Sequence, residues 1–147
     1  MSVIKNDRLK RVLNYLPVDR IPVWMMRQAG RTDPEYNQLR KNDGRALEEL
    51  FADPEIAIKI SLLPKRLGVD AIIMFQDILT PLTPAGAGFR FAPGPILEKP
   101  VRTFSQVKAL RTVDPEIHLQ TVAQILKGLN VELKGELPVL GFAGSPM

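Results

Sequence analysis

Three short apolar runs constrain the fold of this chain most strongly. They cover residues 21–26, 71–75 and 138–142, and each is rich in Ile, Val, Met or Phe without alternating apolar and polar residues. Runs of this kind are typical of strands that are buried on both faces, as in a parallel sheet. Helical patterns lie between them, so the order of elements predicts an α/β fold with parallel strands joined by crossovers.

Two Asp-Pro pairs, at residues 53–54 and 114–115, mark predicted helix starts, because each places a capping side chain before a proline at the first helical position. The first helix should end at Gly68 and be interrupted by Pro64 near its end. The apolar stripe after the second pair predicts one helix that runs to about residue 131. Shorter helical patterns occupy residues 6–16 and 105–110.

The segment from residue 81 to residue 100 is rich in Pro and Gly, and we interpret it as a long excursion in which 88–91 forms one arm of a hairpin.

The chain stops directly after its third apolar run. The three predicted parallel strands are too few to close a barrel, and a sheet of three parallel strands has little stability by itself. We therefore expect the N-terminal part of a larger protein, or a chain that associates to cover open strand edges and apolar faces.

Composition narrows the classes of function. The chain has 147 residues, no cysteine and a net charge of +4, from 20 Lys and Arg against 16 Asp and Glu. Disulfide frameworks and thiolate chemistry are therefore excluded, and the absence of a long basic run disfavours a nucleic-acid binder. Neither a membrane span nor an N-terminal targeting pattern is found, which makes the cytoplasm the default compartment.

Polar side chains follow the predicted strands at their carboxyl ends, where parallel α/β folds place reacting groups. Arg27 and Arg31 follow the first run, Asp77 the second, and a glycine turn at 141–144 the third. We expect Arg27, Asp77 and this turn to converge. Arg40 adds to the local excess of arginine, and guanidinium groups bind carboxylates and phosphates in a bidentate way. We therefore predict that the residues at these strand ends bind an anionic ligand.

Each of these residues also has a purely structural interpretation. The arginines can be surface charges, and Asp77 can cap a helix or pair with Arg27. His118 and Glu48 are predicted to be exposed helix residues. The sequence contains no HExxH pattern, nucleophile elbow or glycine-rich phosphate loop, so metal hydrolysis, serine chemistry and nucleotide binding have no support.

A series of motifs runs along the chain. The most specific is Pro-Val-Trp-Met-Met-Arg-Gln-Ala-Gly-Arg at residues 22–31, and others follow at 34–36, 75–80, 100–103 and 141–146. Their residues, order and spacing resemble those of the uroporphyrinogen decarboxylase family. Together they span nearly the whole chain.

This resemblance implies that residues 1–147 form an incomplete domain, the N-terminal part of a (β/α)8 TIM barrel with about three of its eight parallel strands. It implies cofactor-free and metal-free decarboxylation of the four acetate side chains of uroporphyrinogen III to give coproporphyrinogen III in haem and tetrapyrrole synthesis. It also implies a cytoplasmic homodimer whose partner molecule is a tetrapyrrole, without nucleic acid or membrane.

The resemblance assigns roles to individual residues. Asp77 would accept hydrogen bonds from the pyrrole N–H groups and stabilise the cation formed on protonation of a pyrrole carbon, and Arg27 would bind the reacting acetate and donate the proton. The remaining substrate-binding residues would be Gln28, Arg31, Arg40 and Phe142. The family's later Tyr, Ser and His site residues have no counterpart in this chain.

Two departures from the family pattern bear on the site. Thr32-Asp33 replaces an aromatic-apolar pair, and Asp33 either weakens anion binding or caps the helix that starts at Pro34. Gln76 replaces a smaller Ser next to Asp77. Two alternatives remain: a related barrel methyltransferase, which needs a Cys/His zinc set, and a non-catalytic tetrapyrrole-binding or self-assembling half-barrel.

Overall fold

The fold combines helices with short strands, in a computed structural model that describes residues 4–25, 30–141 and 143–144. The helices are α1 (Arg8–Leu13), α2 (Pro34–Asp43), α3 (Leu47–Ala52), α4 (Pro54–Leu62), α5 (Leu82–Ala85), α6 (Phe104–Lys108), α7 (Pro115–His118) and α8 (Gln120–Leu133). The strands are β1 (Ile72–Ile73), β2 (Phe89–Phe91), β3 (Pro95–Leu97) and β4 (Val139–Leu140). A 3₁₀ segment, Leu63–Leu67, follows α4.

The central sheet is the parallel pair β1–β4, with Ile72 opposite Val139 and Ile73 opposite Leu140. Four helices and a hairpin lie between these two strands in the chain, which confirms the predicted α/β class. The strands are shorter than the apolar runs that contain them. Ile72 is fully buried, whereas Val139 and Leu140 are half-buried.

No strand is found over residues 21–25, where the first apolar run predicts one. Val23 accepts a backbone hydrogen bond from the N–H of Asp70 (2.8 Å), but its own N–H donates to the Asp70 carboxylate (2.7 Å). Pro22 has no N–H to donate. A side chain therefore takes the place of the backbone acceptor that would continue a strand ladder.

The hydrophobic core lies between α4, α8 and β1. Leu50, Ile60, Ile125 and Leu129 are fully buried, and Phe75 packs in the same cluster. The stripe on α8 was predicted from its spacing, and the structure places it against α4. By contrast, large side chains are exposed between residues 13 and 25, Tyr15 by 98% and Ile21 by 82%.

Helix boundaries follow the predicted signals closely. Asp53 caps α4 by accepting from the N–H groups of Glu55 (3.0 Å) and Ile56 (3.3 Å). The α-helix gives way to the 3₁₀ segment just before Pro64 and ends at Gly68, whose φ of 71° is left-handed. The helix predicted after residue 114 is instead divided into α7 and α8 at Leu119, whose φ and ψ are not helical.

The excursion between β1 and α6 contains the antiparallel hairpin β2–β3, as predicted for residues 88–91. The carboxylate of Glu48 accepts a hydrogen bond from the backbone N–H of Phe91 and thereby ties the hairpin to α3. Within the described residues, no helix is both long and apolar enough to cross a membrane.

Candidate active site

Asp77 lies in the turn that follows β1, between two cavities. The strand-end cavity has a volume of about 410 Å³ and is lined by Asp77 together with Ala143 and Gly144, which follow β4. The hairpin-side cavity has a volume of about 210 Å³ and is lined by Asp77, Glu48 and His118 among others. The structure thus brings the second and third predicted strand ends together, since parallel strands end at one edge.

The Asp77 carboxylate is held by its own turn. Its Oδ1 accepts from the backbone N–H of Leu79, and its Oδ2 accepts from the Thr80 hydroxyl at 2.8 Å. The first of these bonds is the Asx-turn arrangement common at Asp residues. Among the described residues, no Lys or Arg forms an ion pair with Asp77. The carboxylate therefore has a fixed orientation next to a cavity and retains acceptor capacity.

The arginines of the predicted site differ in their burial, in their hydrogen bonds and in their position relative to the two cavities. Arg40 on α2 is half-buried, its guanidinium donates to the Arg45 carbonyl (3.0 Å), and its charge helps to lower the pKa of Glu48. Arg40 itself lines neither of the two cavities, but its charge acts on Glu48, which lines the hairpin-side cavity. Arg31 is exposed and lines neither of the two cavities. Arg27, Gln28 and Phe142 lie outside the described residues.

Arg45 has a structural role. Its guanidinium binds both carboxylate oxygens of Asp43 (2.7 and 2.8 Å) and one of Asp53 (2.9 Å). Its hydrogen bonds are the main cause of the lowered pKa values of Asp43 and Asp53. This arginine joins the end of α2 to the start of α4, and each of its three guanidinium nitrogens donates to a carboxylate.

Glu48 differs from the predicted exposed helix charge, because its carboxylate is half-buried and holds the hairpin. The N–H of Phe91 is the main cause that lowers the pKa of Glu48, and the charges of Arg90 and Arg40 contribute. The hairpin-side cavity therefore carries two carboxylates, those of Glu48 and Asp77. His118 is exposed, as predicted, and its ring Nδ1 contacts the backbone of Asp114.

Comparison with known proteins decides the family. The family model described as uroporphyrinogen decarboxylase (URO-D) matches residues 4–147. The chain belongs to the uroporphyrinogen decarboxylase family. It is 48% identical to the uroporphyrinogen decarboxylase of Alkalilimnicola ehrlichii over 99% of this chain and 40% of that protein. The corresponding protein of Nitrosococcus oceani is 46% identical over 99% of this chain and 42% of its own length.

This chain accordingly spans about two-fifths of the length of the uroporphyrinogen decarboxylases that it matches. Among solved structures, a methyltransferase from Methanosarcina mazei superposes with a TM-score of 0.66 over 98% of this chain and 43% of that structure. The sequence identity is 18%, so this similarity concerns the fold alone. Within the described residues, no group of three His, Cys, Asp or Glu side chains is arranged to hold a metal ion.

Asp33, one of the two departures from the family pattern, caps α2. Its Oδ1 accepts from the N–H groups of Glu35 (2.8 Å) and Tyr36 (3.4 Å), and Arg66 binds both its oxygens at 2.6 and 3.1 Å. The hydrogen bond from Arg66 is the main cause that lowers the pKa of Asp33. The capping alternative is therefore confirmed, and the negative charge is neutralised within the fold.

Sequence reasoning missed Asp70, which lies at the opposite end of β1 from Asp77. Its buried carboxylate accepts from Arg20 at 2.7 and 2.8 Å, from Asn6 at 2.9 Å, from Arg8 at 3.3 Å and from the N–H of Val23. Although burial raises the pKa of Asp70, these hydrogen bonds lower it to about 2. The one available signal was an acid placed directly before a buried apolar run, where an unpaired charge is costly.

Proposed function

We propose that the protein containing this chain is a uroporphyrinogen decarboxylase, which converts uroporphyrinogen III into coproporphyrinogen III and four molecules of CO2. The observation that carries the proposal is the oriented Asp77 carboxylate at a strand-end cavity, in a chain 48% identical over nearly its whole length to a curated uroporphyrinogen decarboxylase. Because the chain spans 40% of that relative, the activity is proposed for the whole protein.

Asp77 supplies the electrostatic part of the proposed reaction. Its carboxylate accepts hydrogen bonds from pyrrole N–H groups and stabilises the positive charge that develops when a pyrrole carbon is protonated. The C–CO2 bond of the acetate then breaks and its electron pair neutralises this cation. Protonation of the exocyclic carbon gives the methyl group, and the ring carbon releases its proton. Each cycle thus consumes one proton and releases one CO2.

The arginines supply the binding part of the proposed reaction. Arg27 binds the reacting acetate and donates the proton to the pyrrole, whereas Arg31 and Arg40 bind other carboxylates of the substrate. Gln28 and Phe142 line the pocket. A substrate with eight carboxylates suits a loop rich in guanidinium groups, because each can bind a carboxylate through two parallel hydrogen bonds.

The proposed architecture is the N-terminal part of a (β/α)8 barrel, with residues 1–147 forming part of one domain. The parallel pair β1–β4 and the fold similarity to the methyltransferase structure support it. A cytoplasmic homodimer that acts without cofactor, metal, nucleic acid or membrane is part of the same proposal, and it rests on the family resemblance.

The test is Asp77→Asn in the protein as encoded by its gene. The substitution keeps the shape of the side chain but removes the charge, so we expect kcat for anaerobic uroporphyrinogen decarboxylation to fall at least about a hundredfold. Thermal unfolding should be nearly unchanged. Coproporphyrin formation measured by chromatography is the readout, and Asp7→Asn, a change in an exposed ion pair, is the matched control.

Two results would count against the proposal. Full turnover by the Asp77→Asn variant contradicts the role of Asp77. An inactive wild-type protein that still binds uroporphyrin favours the non-catalytic tetrapyrrole-binding alternative.

A further inference from the structure

Asp77 is surrounded by a small hydrogen-bond network that extends into the core. The Thr80 hydroxyl lies 2.8 Å from Asp77 Oδ2 and 3.2 Å from the Gln76 side-chain oxygen. A hydroxyl has one proton to donate, and a bond to a charged acceptor is the stronger of the two. Thr80 therefore donates mainly to Asp77 and fixes the second oxygen of its carboxylate.

Gln76 fixes the backbone of the same turn. Its side-chain oxygen accepts from the N–H of Asp77 (3.2 Å), and its Nε2 donates to the carbonyl of Phe51 (2.9 Å). The Gln76 amide thus connects Asp77 to α3. Its oxygen accepts from Asp77, and its nitrogen donates to Phe51.

The anchor at Phe51 is rigid. Phe51 is buried, and its ring lies 4.8 Å from that of Phe75, which precedes Gln76 in the chain. The N–H of Phe75 in turn donates to the buried Ser61 hydroxyl of α4 (2.8 Å). Because the Gln76 side chain is hydrogen-bonded to this buried residue, the core fixes the position of the turn that carries Asp77.

We infer that Gln76 and Thr80 are positioning residues for Asp77: Gln76 anchors the turn to α3, and Thr80 orients the carboxylate toward the substrate. The inference rests on the proposed function of Asp77 and deepens it. The length of the Gln76 side chain is what allows this link, since a shorter polar side chain such as serine could not join Asp77 to α3.

The test uses near-isosteric variants of the protein as encoded by its gene. Thr80→Val removes the hydroxyl and Thr80→Ser keeps it, while Gln76→Met removes both hydrogen-bonding groups of the amide at similar length. We expect Thr80→Val and Gln76→Met to lower kcat about tenfold with a KM change below about twofold, because orientation of Asp77 matters most in the transition state. Thr80→Ser should retain most of the activity.

Gln38→Met is the matched control for the glutamine variant. Gln38 is exposed on α2, and its amide donates to Asn42, away from Asp77. This variant should keep the wild-type kcat.

A spectroscopic readout separates the inference from the proposed function. The ¹³C resonance of the Asp77 carboxyl group, assigned by its loss in Asp77→Asn, should move in Thr80→Val and Gln76→Met and stay in place in Thr80→Ser and Gln38→Met. If the wild-type protein does not decarboxylate uroporphyrinogen, the proposed function fails, and this resonance alone decides whether Asp77 is positioned by its neighbours. An unchanged resonance together with an unchanged kcat in both disruptive variants would overturn the inference.

Discussion

Arginines that lie close together in the sequence have different partners in the structure. Arg45 is engaged by two carboxylates and joins α2 to α4. Arg40 donates only one hydrogen bond among the described residues, to a carbonyl, and its charge acts on Glu48 in the cavity wall. A guanidinium with free donors is the better candidate for a ligand carboxylate. The two residues therefore make a matched pair for a test.

At the scale of the residue, we predict that Arg40→Ala weakens binding of uroporphyrin about tenfold, the usual effect of losing one charge-assisted hydrogen bond. Arg45→Ala should lower the melting temperature but leave the dissociation constant within about twofold of wild type. Fluorescence titration of the porphyrin into each folded variant measures both constants. Equal affinities for wild type and Arg40→Ala would contradict the binding role of Arg40.

Helix starts are the elements in which sequence and structure agree best. The Asp-Pro signals at 53–54 and 114–115 both become capped helix starts, and Asp33-Pro34 is a third. The reason is local: the capping oxygen, the N–H groups that it accepts from and the proline all lie within four residues. Two of these aspartates also bind an arginine outside their own helix start: Asp53 binds Arg45, and Asp33 binds Arg66.

At the scale of the element, substitutions of Asp33 should separate its two contributions to α2. Asp33→Asn keeps an oxygen that can cap the helix but loses the charge that pairs with Arg66, so we expect a loss of about 1 kcal/mol in the free energy of unfolding. Asp33→Ala loses both and should cost about 2 kcal/mol. Urea unfolding measures the difference, and equal losses in the two variants would show that the cap contributes nothing.

The fold of the whole molecule places the carboxylates of Asp77 and Asp70 at opposite ends of β1. Asp77 at one end faces cavities, whereas Asp70 at the other end is buried among Arg20, Arg8 and Asn6. The first is oriented for a ligand, and the second holds residues 6–23 against the sheet. A carboxyl group with a pKa lower in the folded than in the unfolded state stabilises the fold above its ordinary pKa and ceases to do so as pH falls.

At this scale we predict a loss of stability in acid. The pKa of Asp70 is lowered from 3.8 to about 2, so its contribution of about 2 kcal/mol is complete above about pH 4 and is lost between about pH 4 and pH 2. The lowered pKa of Asp33 acts in the same direction. Urea unfolding at a series of pH values is the measurement.

Asp70→Asn is the internal control for this pH dependence. The variant should be less stable at neutral pH, because two arginines lose their buried acceptor. Its stability should also fall less steeply between pH 4 and pH 2. The same slope in variant and wild type would show that other carboxyl groups cause the acid sensitivity.

The sequence by itself determined the α/β class, the helix starts, the hairpin after residue 88 and the family, because these depend on local spacing and on ordered motifs. Tertiary structure decided the rest. It replaced a strand at 21–25 by a contact with Asp70, gave Arg45 a structural role, left Arg40 with one hydrogen bond to a carbonyl among the described residues, and linked Gln76 to Phe51. These contacts join groups on different elements of the fold that compete for the same donors and acceptors, and no local pattern records which partner is reached.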